Sequence, residues 1–187
     1  MTIINSVLGK IDSKDLGFTL MHEHVMVAAS GLSTHYPDLL GPNREQRAIE
    51  CLKTAKANGI DTMLDATTFD LERDPALLKT VAEASGVNLI NVTGWWLDVP
   101  RFMQGVGANQ MADEFIKDLT EGFRGTDIKA GMLKCAADFE GVTPPLETMA
   151  RGVARAHLQT GVPIMVHSYP TGPVSYTHLT LPTILLV

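Results

Sequence analysis

His22 and His24 stand on either side of Glu23, directly after Leu20-Met21. If residues 18 to 24 form a strand, its two-residue period turns both imidazoles to one face. Two imidazoles about 7 Å apart on a rigid element can grip one metal ion. The plain alternative is a strand with two exposed histidines that do nothing. Further along, Lys134 closes the apolar run Gly131-Met132-Leu133, and His167 closes Pro163-Ile164-Met165-Val166. Asp65 and Thr93 also follow apolar runs. Polar residues recurring at the ends of apolar strands are hard to explain by packing. A lysine there costs energy unless its charge is paired or removed. Taken singly, each has an ordinary reading. Asp65 could be a structural hydrogen-bonder, Lys134 a surface lysine, His157 a surface helix residue and His35 a solvated loop residue.

The elements that must carry these residues follow from pattern and punctuation. Ile3-Ile4 and Val7-Leu8, with a polar turn at Asp12-Ser13-Lys14, read as an N-terminal hairpin over residues 2 to 16. Residues 18 to 24 are the first main strand, and residues 25 to 42, with Gly31, Pro37, Gly41 and Pro42, a long loop of the kind often built for function. Asn43 offers an N-cap with Gln46 three positions on, and the stripe Ala48, Ile49, Leu52, Ala55 runs to Asn58-Gly59. Strands at 60 to 66, 87 to 92, 130 to 135 and 162 to 167 then alternate with helices at 75 to 86, 111 to 123 and 143 to 160. After the hairpin the order is four βα units and a fifth strand. That order implies a parallel sheet with right-handed crossovers, as a barrel or an open doubly wound sheet. No GxGxxG follows any strand, which argues against a dinucleotide site.

Bulk properties remove several function classes. The chain has 187 residues, 45% of them hydrophobic, enough for one sizeable domain. The net charge is −6 and no basic run exceeds two residues, so nucleic acid is not an expected partner. No signal peptide or run of 18 apolar residues is present, so neither export nor a membrane span is expected and a cytoplasmic protein is the default. Cys51 and Cys135 form no metal or disulfide spacing and read as reduced core thiols.

Several stretches together carry a resemblance. They are Gly17-Phe18-Thr19-Leu20-Met21-His22-Glu23-His24, Asp65-Ala66-Thr67-Thr68-Phe69-Asp70 with Arg73-Asp74, Thr93-Gly94-Trp95-Trp96, Lys134, and Gly161 to His167. In this order, over roughly residues 3 to 174, they resemble the phosphotriesterase family of the amidohydrolase superfamily. The resemblance implies a (β/α)8 TIM barrel with two divalent metal ions, usually zinc. It implies that His22 and His24 hold one ion, that Lys134, carboxylated by carbon dioxide, bridges both, and that His167 holds the second. A metal-bound hydroxide would attack an ester, lactone or phosphotriester. A lysine ammonium cannot bind a cation, whereas its carbamate is an anionic bidentate oxygen ligand, and carbamate formation needs the neutral amine that a desolvated site favours. Trp95 and Trp96 would supply one apolar wall for the leaving group and one packing residue. The full-length parent would be able to pair as a homodimer.

The family pattern also requires a histidine ending a sixth strand and an aspartate ending an eighth, and this chain has neither. Residues 1 to 174 therefore read as the N-terminal part of the barrel, about five of eight strands. Residues 175 to 187 read as a non-native tail, so His178 is not recruited as a ligand. The fragment is expected to aggregate or stay partly molten and to be inactive. Two other functions stay open: an amidohydrolase acting on amides, and a non-catalytic metal-binding or interaction module.

Overall fold

The structure, a computed structural model, describes residues 2–169; the expected non-native tail lies outside the described residues. Two short strands come first, β1 (Ile3–Ser6) and β2 (Gly9–Asp12), paired antiparallel as the expected hairpin. A five-stranded parallel sheet follows in the order β3 (Thr19–Glu23), β4 (Thr62–Asp65), β5 (Asn88–Gly94), β6 (Met132–Ala137) and β7 (Ile164–Ser168). Each neighbour in the sheet is the next strand in sequence, the order a winding barrel produces and an open doubly wound sheet does not. The helices are α1 (Leu32–His35), α2 (Arg44–Ala57), α3 (Pro75–Ser85), α4 (Ala108–Thr120) and α5 (Pro144–Thr160). This is an α/β half-barrel with an N-terminal hairpin, in keeping with an incomplete TIM barrel.

The sheet curls strongly. Five strands about 4.8 Å apart would span about 19 Å if flat. Yet the ring centroids of His22 on β3 and His167 on β7 are 6.2 Å apart, so the two outermost strands face one another across a trough.

Two apolar layers hold this shape. On the helix side, Met63, Leu89 and Leu133 of the sheet pack with Leu52, Val81, Phe115 and Met149 of the helices. On the trough side, Leu64, Ala66, Ile90 and Val92 are buried together, with Ile4, Leu16, Met132 and Met165 against them. The hairpin closes the end of the trough where the strands begin. Val7 N donates to Leu89 O at 2.9 Å, and Asn5 Nδ2 donates to the carbonyls of Leu119 (3.0 Å) and Ala130 (2.8 Å). Gly152 lets α4 and α5 pack closely, since a Cβ there would come within 2.9 Å of Met111 Cβ.

Helix boundaries follow local chemistry. Asp74 caps α3 by accepting from Leu77 N at 3.0 Å, Pro75 opens it, and Gly86 closes it with φ +73°. At α2 the expected boundary holds but not the expected cap. Asn43 has φ +57° and its side chain makes no cap bond, while Gln46 Nε2 donates to Glu50 Oε1 at 2.8 Å. The expected loop of residues 25 to 42 contains the short α1, whose first N–H groups are accepted by the Glu72 carboxylate from a distant loop. The helix expected at 111 to 123 begins and ends three residues earlier. Cys135 is buried as expected, but Cys51 is exposed, one position off the buried stripe of α2.

Candidate metal centre

A bulge in β3 decides which way the histidines point. Leu20 pairs with Met63, but Glu23, not His22, pairs with Asp65. The extra residue reverses the parity of the strand. Leu20 and Met63 share the helix-side core. Beyond the bulge, Glu23 and Asp65 share that side, and His22 turns into the trough; His24, one residue beyond the strand, turns the same way. Their ring centroids are 5.7 Å apart. The shared face follows from the spacing, whereas the bulge could be suspected only from two adjacent apolar residues, Leu20 and Met21, breaking the alternation.

Lys134 lies on the trough face with Met132 and Ala136. It is not at a strand end as the sequence suggests, because pairing continues to Ala137↔Ser168 and extends β6 past it. Its side chain is completely buried, the largest such side chain among the described residues. Nζ lies 3.1 Å from His22 Nε2. Burial pushes its pKa down to about 8. His22, His24 and His167 are each held below the ordinary imidazole value, first by partial desolvation. For His22 and His167 the Lys134 charge is the next cause. At neutral pH the three rings are therefore uncharged, with lone pairs to offer. His167 pairs in register with Ala136 on the trough face, and its Nε2 is 3.9 Å from Asp138 Oδ2.

Gly94 keeps this packing possible. It pairs with Lys134, has φ +119°, and a Cβ there would overlap the Lys134 carbonyl oxygen.

The tryptophans separate. Trp95 is 6% exposed and packs edge-on against Phe115 at 4.9 Å, in the helix-side core. Trp96 reaches the trough rim, its ring 5.7 Å from that of His167. Asp70 holds the turn that carries it, accepting from Trp96 N at 3.1 and 3.2 Å and from Asp98 N at 3.3 Å. Thr93 does not join the histidines. It pairs with Leu133 on the helix side and donates to Asp118 Oδ2 at 2.6 Å. The Arg73 guanidinium lies 3.6 Å from the same oxygen, donates to Val92 O at 3.1 Å and stacks over Phe123 at 4.0 Å. Arg73 and Asp118 are 45 residues apart in the chain, and no local spacing announces them. A cavity of about 600 Å³ opens beside this network, but no histidine lines it, and the charges around Arg73 are paired.

His157 Nδ1 lies 2.8 Å from Val162 O, a structural contact at the end of α5, and His35 is exposed. Among the described residues no three His, Cys, Asp or Glu side chains are grouped closely enough to hold a metal ion by themselves. The fourth member of the constellation is an amine. An ammonium would repel a cation, so the donor set would fit a pair of divalent ions with Lys134 as an anionic oxygen ligand, and its buried, low-pKa nitrogen beside His22 suits that change.

The sequence profile of the Phosphotriesterase family matches residues 2–180. The chain belongs to the phosphotriesterase family. Among its curated relatives, the phosphotriesterase homology protein of Mycobacterium tuberculosis (strain ATCC 25618 / H37Rv) is 39% identical over 180 residues, covering 90% of this chain and 55% of the relative. The aryldialkylphosphatase of Saccharolobus solfataricus is 39% identical over 161 residues, covering 84% of this chain and 51% of the relative. The human N-acetyltaurine hydrolase is 26% identical over 194 residues, covering 88% and 56%. The chain thus spans about half the length of the curated relatives it matches. Among the described residues no helix is long and apolar enough to cross a membrane.

Proposed function

We propose that the chain carries one half of the active centre of a metal-dependent hydrolase acting on an ester, lactone or phosphotriester. The observation that carries this reading is the convergence of His22, His24 and His167 on a fully buried Lys134 in the trough of the half-barrel. In the proposal His22 and His24 would hold one divalent ion and His167 a second, with Lys134, as a carbamate, supplying the anionic oxygen ligand to both. Zinc suits imidazole and oxygen ligands of this kind.

Lys134 supplies the chemistry that the histidines lack. Its neutral amine nitrogen adds to the carbon of carbon dioxide, an N–H proton passes to water, and an anionic carboxylate remains on Nζ. The pKa of about 8 makes the neutral amine accessible near neutral pH. Divalent ions bound there would acidify a water and polarise the electrophilic oxygen. Trp96, beside His167 at the rim, gives an apolar surface against which a leaving group packs. Trp95, packed on Phe115, supports the turn from within the core.

A second reading is amide hydrolysis by the same centre, favoured by the similarity to N-acetyltaurine hydrolase. The partner in both readings is a small molecule. Turnover of an aryl dialkyl phosphotriester, a lactone and an N-acyl taurine by the full-length protein, loaded with zinc in bicarbonate, separates them. Hydrolysis of the first two and not the third supports the leading reading. Hydrolysis of the N-acyl taurine alone supports the second. Stoichiometric metal binding with no turnover of any would identify a non-catalytic metal-binding module.

A further inference from the structure

The geometry points to Thr67 as the positioning residue that, anchored by Asp65, sets the tautomer of His24 and leaves Nε2 free for a ligand. This inference rests on the metal-centre reading for its purpose, though not for its structural content.

Three contacts define the relay. Asp65 Oδ1 accepts from Val25 N at 3.0 Å, fixing the backbone immediately after His24. The same oxygen accepts from Thr67 Oγ1 at 2.8 Å. Thr67 Oγ1 lies 3.0 Å from His24 Nδ1. Asp65 and Thr67 are each 1% exposed, so water does not compete for the bond between them.

The proton count decides the direction. Burial raises the Asp65 pKa to about 6, so at pH 7 and above the carboxylate is ionised and only accepts, and its bond with Thr67 uses the one hydroxyl proton of Thr67. Thr67 Oγ1 then has only lone pairs to offer His24, and Nδ1 must carry the proton. A neutral imidazole has one N–H, which leaves the Nε2 lone pair available. The order is carboxylate, hydroxyl, imidazole, with the hydroxyl inserted where a carboxylate more often contacts a metal-binding histidine directly. Val25 N–H gives the carboxylate a second fixed bond, so the relay is pinned on both sides of the ring it orients. His22 has no equivalent among the described residues; its Nε2 faces Lys134 Nζ.

The test uses the metal-free full-length protein first. Long-range ¹H–¹⁵N spectra report which imidazole nitrogen carries the proton, with the His24 signals assigned by their loss in His24→Gln. The expected result is the Nδ1–H tautomer for His24 in the wild type and in Thr67→Ser, which keeps the hydroxyl. Thr67→Val, which keeps the shape but not the hydroxyl, should give a mixture of tautomers. It should also weaken zinc affinity by roughly 10- to 100-fold, while Thr67→Ser restores it. A wild-type His24 protonated on Nε2 would overturn the inference without any variant being needed. Wild-type tautomer and zinc affinity in Thr67→Val would also overturn it. An Nδ1–H tautomer that depends on Thr67, in a chain whose wild type binds no zinc, would uphold the relay and refute the metal reading instead.

Discussion

Strands β4, β5 and β6 differ in almost every respect from strands β3 and β7 that flank them. All four residues of β4 are buried, as are all but the first of β5 and of β6. No residue of β3 or β7 is buried, and the last three of β3 are exposed. The central strands hold both apolar layers together. The flanking strands carry His22 and His167, with His24 just beyond β3. Lys134 belongs to both regions, rooted in the centre with its amine 3.1 Å from His22 Nε2, and Asp65 of β4 likewise reaches Val25 and Thr67 beside His24. The difference teaches that this half-barrel divides its work. Its middle carries stability, its margins carry the histidines, and Lys134 joins the two at an energetic cost.

Substitutions can break or sharpen that division. The largest expected effect is in the centre. Leu133 on β6 is wholly buried, and Leu133→Ala should lower unfolding free energy by about 2–5 kcal/mol, read from urea denaturation. A loss below about 1 kcal/mol would mean the central core is not what holds the fold.

Next is Lys134→Met in the metal-free chain, which should stabilise. Burial lowers the lysine pKa from 10.5 to about 8, so the folded state resists protonation. The sign follows directly. Below about pH 8 the buried group pays the full penalty, on the order of 3 kcal/mol, and above about pH 10.5 it pays none. The gap between variant and wild type should therefore be widest near pH 7 and close as pH rises through that window. A variant less stable than wild type at pH 7 would contradict the burial cost.

Gly94→Ala should cost about 1–3 kcal/mol, because φ +119° is unfavourable for alanine and the added Cβ strikes the Lys134 carbonyl. Proton exchange at the β5–β6 amides should rise more than elsewhere. The smallest effect belongs to the margin. His22 is exposed and outside both apolar clusters, so His22→Ala should change stability by no more than about 0.5 kcal/mol while removing metal binding. A large loss of stability there would erase the distinction between margin and centre.

Much of this fold is legible in residue order. Asp74-Pro75, Gly86, Asn58-Gly59 and Gly161 punctuate the chain where helices begin or end, and the alternating elements between them allow few topologies. Choosing a barrel required the family resemblance, since the pattern alone also permits an open sheet. The site was legible in part. His22 and His24 share a face because a strand has a period of two. That this face is the trough depends on the β3 bulge, which arises from pairing with β4. Thr67 appears in the sequence only as part of Asp65-Ala66-Thr67-Thr68, and its role emerges when β4 brings it to His24, 43 residues away. Trp95 and Trp96 are adjacent and chemically alike, so only the fold can send one to the core and the other to the rim. Thr93 follows an apolar run as Asp65 and Lys134 do, but strand parity turns it toward Asp118.

The most direct test of the central claim is zinc binding with and without bicarbonate, read together with the ¹³C signal of a lysine carbamate formed from ¹³C-bicarbonate. Bicarbonate-dependent zinc uptake, a carbamate signal, and the loss of both in Lys134→Met are the predicted results. Zinc uptake that is unchanged in Lys134→Met, or zinc uptake with no carbamate signal, would contradict the assignment of Lys134 as the bridge between the two margins.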